Sequence, residues 1–197
     1  METPQLAESE VPTEPIEKKE SWTRFFLDLL ETLVLSVALF LGINALTARV
    51  LVDGYSMRPT LENQQRLIVN KLAYKSGLPE LGDIVVFHFP IDPEDDFIKR
   101  VVGLPGDEIK IANGNVSVNG EVLIEPYIAA APNYAGTWYV PENEVFVLGD
   151  NRNNSSDSHV WGAVPSENLI GKAIVIYWPP PAWAMIKHVE LNDDTLQ

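Results

Sequence analysis

The apolar positions of this chain fall into two regimes. Between Thr32 and Ala48 the sequence TLVLSVALFLGINALTA is uncharged over 17 residues, with Glu31 before it and Arg49 after it. As a helix this stretch would be about 26 Å long, a little short of a hydrocarbon core of about 30 Å. Leu29, Leu30 and the run Val50–Val52 carry the apolar character further on both sides, and Arg49 can snorkel from an end position. The acidic flank and the lack of a basic leading segment argue against a cleavable signal peptide. A retained transmembrane anchor over residues 25–50 is therefore expected in preference to a buried core helix.

Beyond the anchor the pattern changes to short runs rich in Val, Ile and aromatics. RLIVNKLAY, GDIVVFHFP, FIKRVVGLP, DEIKIAN, NVSVNGEVLI, GTWYVP, EVFVLGD and LIGKAIVIYW are separated by Gly, Pro, Asn and Asp at the spacing of an all-β fold. Asn113-Gly114 and Asn119-Gly120 are hairpin-turn dipeptides. No helix of ordinary length is expected after residue 75. The predicted fold is mainly β: an N-terminal transmembrane helix, then an antiparallel β-sheet domain over residues 51–178. Residues 1–24, rich in Glu, Pro, Ser and Thr, read as a disordered acidic tail. Strand character stops at Pro179–Pro181, so residues 179–197 read as an irregular C-terminal tail.

Composition removes several classes of function. Without cysteine there is no disulfide scaffold, thiolate zinc site or cysteine nucleophile. A formal net charge of -14 argues against a nucleic-acid partner, which needs a basic face. Lys18, Lys19 and Arg24 precede the apolar stretch, with Arg49 and Arg58 after it; this favours a cytoplasmic N-terminus and a β domain on the outer face.

Three segments carry candidate chemistry. Ser56 lies in D-G-Y-S-M-R-P-T-L just past the anchor, where Gly54 permits an unusual backbone and Pro59 stops a regular element. A serine hydroxyl needs a neighbouring base. Of the three histidines, His88 alternates with Phe87 and Phe89 in a strand, His188 falls in the expected tail, and His159 sits in a polar loop. Composition alone leaves a histidine base open. The other option is Lys99, flanked by apolar residues in F-I-K-R-V-V-G-L-P-G-D. Burial there disfavours the ammonium. To act as a base its pKa must fall from about 10.4 to near 7, a difference of roughly 4 kcal/mol. The third segment, V-L-G-D-N-R-N-N-S-S-D-S-H-V-W-G over residues 147–162, is dense in hydrogen-bonding groups that can orient an amine and fix a nucleophile loop.

Together the three segments resemble the type I signal peptidases. S-M-R-P-T-L (56–61) resembles that family's nucleophile box, K-R-V-V-G-L-P-G-D (99–107) its lysine box and G-D-N-R-N-N-S-S-D-S (149–158) its last box, in family order. R-L-I-V-N-K (66–71) and G-D-I-V-V-F (82–87) resemble the strands between them. The resemblance implies Ser56 as nucleophile and Lys99 as general base, with Ser155 hydrogen-bonding the lysine amine. It implies Asp150, Arg152 and Asp157 as supports, and Met57 as cover for the lysine. It also implies an acyl-enzyme reaction without metal or organic cofactor, signal-peptide-bearing precursors as substrates, small residues before the cut, and a lipid bilayer as partner. Trp161, Trp178 and Trp183 are candidates for an apolar rim facing that bilayer.

Two positions depart from the family pattern. Gly54 stands where many members have a serine that helps the oxyanion hole, which shifts that task to backbone N–H groups at Gly54 and Ser56. His159 stands where arginine is common, which makes its pairing with Asp157 pH-dependent. The segment between the lysine box and the last box is short, so the β extension is expected to be a small hairpin around residues 110–135. A self-cleaving Ser–Lys repressor is disfavoured by the acidic tail and apolar span where a DNA-binding region would stand. A peptidase-derived adaptor is disfavoured by intact serine and lysine boxes.

Overall fold

The computed structural model describes residues 22–75 and 77–191, which fall in two compact units, 1–41 and 42–197. The expected acidic tail lies outside the described residues except for Trp22–Arg24, which are already helical.

Helix α1 runs over Trp22–Leu46, with a mean hydropathy of 2.1 across its most apolar 18 residues and no buried side chain. It is long and apolar enough to cross a membrane. Hydroxyls on the helix and just past its end bond back to it: Thr32 Oγ1 donates to Asp28 O, Ser36 Oγ to Thr32 O and Thr47 Oγ1 to Ile43 O.

The anchor was expected to continue through residue 50, but Thr47–Leu51 form strand β1. The β-branched Thr47 and Val50 and the apolar Leu51 suit a pleated edge as well as lipid. The partner that decides between them is β2 (Arg66–Asn70), antiparallel to β1 from Thr47↔Asn70 to Leu51↔Arg66.

The remaining strands are β3 (Ile84–His88), β4 (Asp96–Gly103), β5 (Glu108–Ala112), β6 (Asn115–Val118), β7 (Glu121–Val122) and β8 (Gly136–Tyr139). They are followed by β9 (Glu144–Leu148), the short helix α2 (Ser158–Trp161), β10 (Val164–Pro165), β11 (Leu169–Trp178) and β12 (Ala184–Met185). The larger sheet has the order β1-β2-β11-β3-β4-β9-β10, antiparallel at every pairing, and β12 adds to β11. The sheet is buried on both faces: Ile84 and Val86 of β3 join one core with Met57, Leu67, Val69 and Ile98, while Val85 and Phe87 join another with Val101, Val145 and Val147. Successive side chains of a strand point to opposite faces, so one strand serves both cores.

The predicted hairpin extension is a four-stranded sheet, β7-β6-β5-β8, spanning Glu108–Tyr139. The two Asn-Gly dipeptides make its turns, with all four residues at positive φ. The short GTWY run supplies the fourth strand by pairing with β5 rather than with its sequence neighbours. This sheet closes a third core of Ile109, Ile111, Val116, Val118, Phe146 and Leu148.

The C-terminal segment is irregular in backbone over residues 186–191, as expected, but it contains a two-stranded pairing and is packed down as far as residue 191. Beyond the prolines, Ala184 and Met185 pair with Ile176 and Val175, and Leu191 is 1% exposed in the third core. Burying a leucine is worth about 2 kcal/mol, enough to hold a strap that sequence pattern alone shows as loop.

Candidate active site

Ser56 is presented by a loop that folds back on itself. Val52 N–H donates to Gln65 O and Gln64 N–H to Val52 O, which closes the segment after β1. Gly54 turns the chain at φ 103°, a region that favours glycine. Its N–H donates to Asn63 Oδ1 at 2.9 Å. The Gly54 amide, expected to face a reacting oxygen, is therefore engaged, whereas the Ser56 N–H donates to no group among the described residues.

Lys99 reaches Ser56 from β4, opposite Val85 in the register, and is 4% exposed. Its Nζ donates to Ser56 Oγ at 2.9 Å and to Ile98 O at 2.9 Å. Met57, 1% exposed, belongs to the core beneath the nucleophile loop. Burial pushes the Lys99 pKa down to about 8, against the opposing pull of the Asp157 and Asp150 charges. None of the histidines bonds to Ser56: His88 pairs with Asp96, His188 with Asp83 and His159 with Asp157.

The loop after β9 is clamped onto this pair. Asn151 N–H donates to Ser56 O at 2.9 Å and Asn151 Nδ2 to Tyr55 O at 3.1 Å, which grips both carbonyls around the nucleophile. Asp150 is fully buried and receives Arg100 through two bonds, 2.8 and 2.7 Å, together with Thr60 Oγ1. Arg152 is fixed by Glu125 and donates from Nε to Gly149 O at 3.1 Å. Asp157 accepts from Gly149 N–H at 2.9 Å and from both the backbone and ring of His159, whose imidazole stacks on Tyr134 with centroids 3.9 Å apart. Gly149 has to be glycine, because a Cβ there would strike Ser155 Oγ and the Ser56 carbonyl.

Ser155 differs from the expectation. The Lys99 amine is bonded to Ser56 and Ile98, while Ser155 Oγ is buried with no hydrogen-bond partner. The two groups belong to one cluster but are not joined.

A cleft of about 420 Å³ opens onto Ser56 and Lys99. Val50, Leu51, Tyr55, Phe97 and Ile98 give it apolar walls, and Asp53, Asp95 and Asp96 line it as well. A buried amine that loses its proton near pH 8, beside a serine hydroxyl at the foot of an open cleft, is equipped for acyl transfer.

Residues 26–178 match the family described as signal peptidase, peptidase S26. The chain belongs to this family. It is 48% identical over 177 residues to a probable signal peptidase I-2 of Synechocystis sp., an alignment covering 85% of this chain and 81% of the relative. It is 43% identical to a signal peptidase I of Leptolyngbya laminosa, covering 85% of this chain and 87% of the relative. A signal peptidase I of Bacillus caldolyticus is 41% identical, over 65% of this chain and 78% of the relative. The fold is thus that of a serine endopeptidase family with an apolar N-terminal helix.

Several site residues had no individual signal in the sequence. Asn151 was one polar residue among many in its loop, and Glu125 lies outside all three boxes. Arg100 was visible as a charge in an apolar strand, next to Lys99, and such a charge demands a buried partner; Asp150 is that partner. Glu80, Asp83 and His188 place three ligand atoms within 4.8 Å of one another, but the Lys172 ammonium already sits on Asp83 at 2.5 Å, so this donor set is poorly suited to a metal.

Proposed function

We propose that this protein is a type I signal peptidase that cleaves exported precursors after small residues of the Ala-x-Ala type, using Ser56 as nucleophile and Lys99 as general base. The observation that carries the reading is the 2.9 Å contact between Lys99 Nζ and Ser56 Oγ at a lysine removed from water. When Lys99 is uncharged, its lone pair takes the Ser56 proton as Oγ attacks the scissile carbonyl. The oxyanion forms against the free Ser56 N–H. Collapse expels the new amine, which takes its proton from Lys99, and water then releases the acyl group by the same base.

Asp150, Arg152 and Asp157 serve this chemistry by holding the loop behind Ser56, Met57 by keeping the lysine dry, and Ser155 by bonding the lysine amine as it changes charge. The substrate lies as an extended strand in the cleft, its small side chains against Leu51, Tyr55 and Ile98. Helix α1 anchors the enzyme in a bilayer with the N-terminus cytoplasmic and the β domain outside. Trp178 and Trp183, 49% and 73% exposed, fit a membrane-facing rim, whereas Trp161 packs on Phe87 and Phe89 inside the fold and does not.

The test is cleavage of a purified Ala-x-Ala precursor in detergent by the wild type, Ser56→Ala and Lys99→Ala. Both variants should fold and both should lose cleavage. Cleavage retained by Lys99→Ala would remove lysine as the base.

A further inference from the structure

A second cavity of about 380 Å³ lies away from the cleft, at the foot of α1. Ala45, in the last turn of α1, lines it, and the Lys71 N–H donates to Leu46 O at 3.0 Å, which ties the cavity wall to the helix end. Ala45, Leu169 and Ile170 supply apolar surface, while Lys71, Lys75 and Glu167 supply charge. Two further polar residues on the wall are already engaged: Tyr74 OH donates to Asp83 at 3.0 Å and His88 pairs with Asp96 at 2.8 Å.

Arg58, Arg100, Arg152 and Lys172 each hold a carboxylate, and Lys99 holds Ser56. Neither Lys71 nor Lys75 forms an ion pair or a side-chain hydrogen bond among the described residues. Arg49, Arg66, Lys110 and Lys187 also form no ion pair among the described residues, but only Lys71 and Lys75 lie together on this cavity. In a chain of net charge -14, two ammonium groups converging unpaired on one cavity make a local site for an anion. Its place at the end of a 25-residue apolar helix puts it at the depth of lipid headgroups.

We infer that this cavity binds the headgroup of an anionic glycerophospholipid, an inference that rests on reading α1 as a membrane anchor. Lys71 and Lys75 take the phosphate, Glu167 accepts from a headgroup hydroxyl, and Ala45, Leu169 and Ile170 meet the start of the acyl chains.

The experiment is native mass spectrometry of the full-length protein from micelles holding equal amounts of phosphatidylglycerol and phosphatidylcholine, with and without inorganic phosphate. The wild type should retain phosphatidylglycerol over phosphatidylcholine by about tenfold or more. The Lys71→Gln/Lys75→Gln double variant should retain the two equally, and added phosphate should not displace the lipid. Equal retention by the wild type, or an unchanged preference in the double variant, would overturn the site. Displacement by inorganic phosphate at matched concentration would make it a free-anion site and overturn the lipid assignment. Precursor cleavage in the same micelles reads the peptidase separately. The double variant should cleave like the wild type, and a wild type that selects the lipid without cleaving would count against the peptidase reading alone.

Discussion

Arg152 and Glu125 meet through two parallel hydrogen bonds, 2.7 and 2.5 Å long, across a separation of 27 residues. Glu125 comes from the chain leaving the smaller sheet, so this fork ties that sheet to the loop behind Ser56. Both side chains are almost wholly buried. Removing one charge of such a pair leaves the other unpaired in a dry site, at a cost of about 3 to 5 kcal/mol. Glu125→Gln is therefore expected to lower Tm by roughly 6 to 20 °C, and to reduce precursor cleavage because Gly149 and Asn151 lose their support. Calorimetry alongside a cleavage assay checks this. A variant with wild-type Tm would show that the pair carries little of the loop's stability.

The depressed pKa of Lys99 sets the pH profile of the enzyme. Only the uncharged amine can act as base, so kcat/KM should rise as pH increases through about 8 and level off above it. Stability follows the same group. Below pH 8 the lysine is protonated in both native and unfolded chains, and the native state bears the full cost of a buried ammonium. As pH rises from about 8 towards 10.5 the native amine loses its proton first and that cost declines. Lys99→Met should consequently be inactive yet more stable than the wild type at pH 7 by about 3 kcal/mol, with the gain shrinking towards pH 10.5. Denaturant titrations at pH 7 and pH 10 measure it; a variant less stable at both would mean that the ammonium is held by its partners rather than penalised by burial.

Much of this site was legible because short motifs constrain chemistry locally. Ser56 and Lys99 were candidates from a glycine-containing turn and a lysine in an apolar strand, but a histidine base stayed open until the resemblance to the type I signal peptidases paired the two. What escaped was set by partners distant in sequence. The apolar run at Val50 reads equally well as membrane helix or edge strand until β2 is placed beside it. Leu191 looks like tail until the third core, built from residues 102–148, offers a place for it. Glu125 carries no local mark at all, since only the fold brings it to Arg152. The extension was underestimated for the same reason: GTWYVP reads as a strand run, but nothing local says that it pairs with β5 and enlarges the hairpin.

Ser155 offers a separation of function from stability. Its Oγ is buried without a hydrogen-bond partner, an arrangement that costs about 1 to 3 kcal/mol in a folded protein. Nothing in the resting fold is lost when that hydroxyl is removed. If it bonds the lysine amine during proton transfer, Ser155→Ala should lower kcat by about tenfold or more while Tm stays level or rises. Equal kcat in the variant would leave Ser155 with no part in the reaction, and a clear fall in Tm would show that it has a structural partner at rest.

His159 gives the last prediction through Asp157. The Asp157 carboxylate raises the pKa of Lys99 and so opposes the effect of burial. His159 Nδ1 bonds that carboxylate and the ring stacks on Tyr134. An arginine can keep both the stack and the bond to Asp157 while remaining charged at every working pH. A permanent cation beside Asp157 offsets its field at Lys99, which eases loss of the lysine proton. His159→Arg should therefore move the midpoint of the kcat/KM profile towards acid by roughly half a pH unit, leaving the plateau above pH 9 close to that of the wild type. A midpoint that stays in place would show that Asp157 is already neutralised by its other partners. A shift towards alkali would mean that the added cation disturbs the loop rather than the charge balance around Lys99.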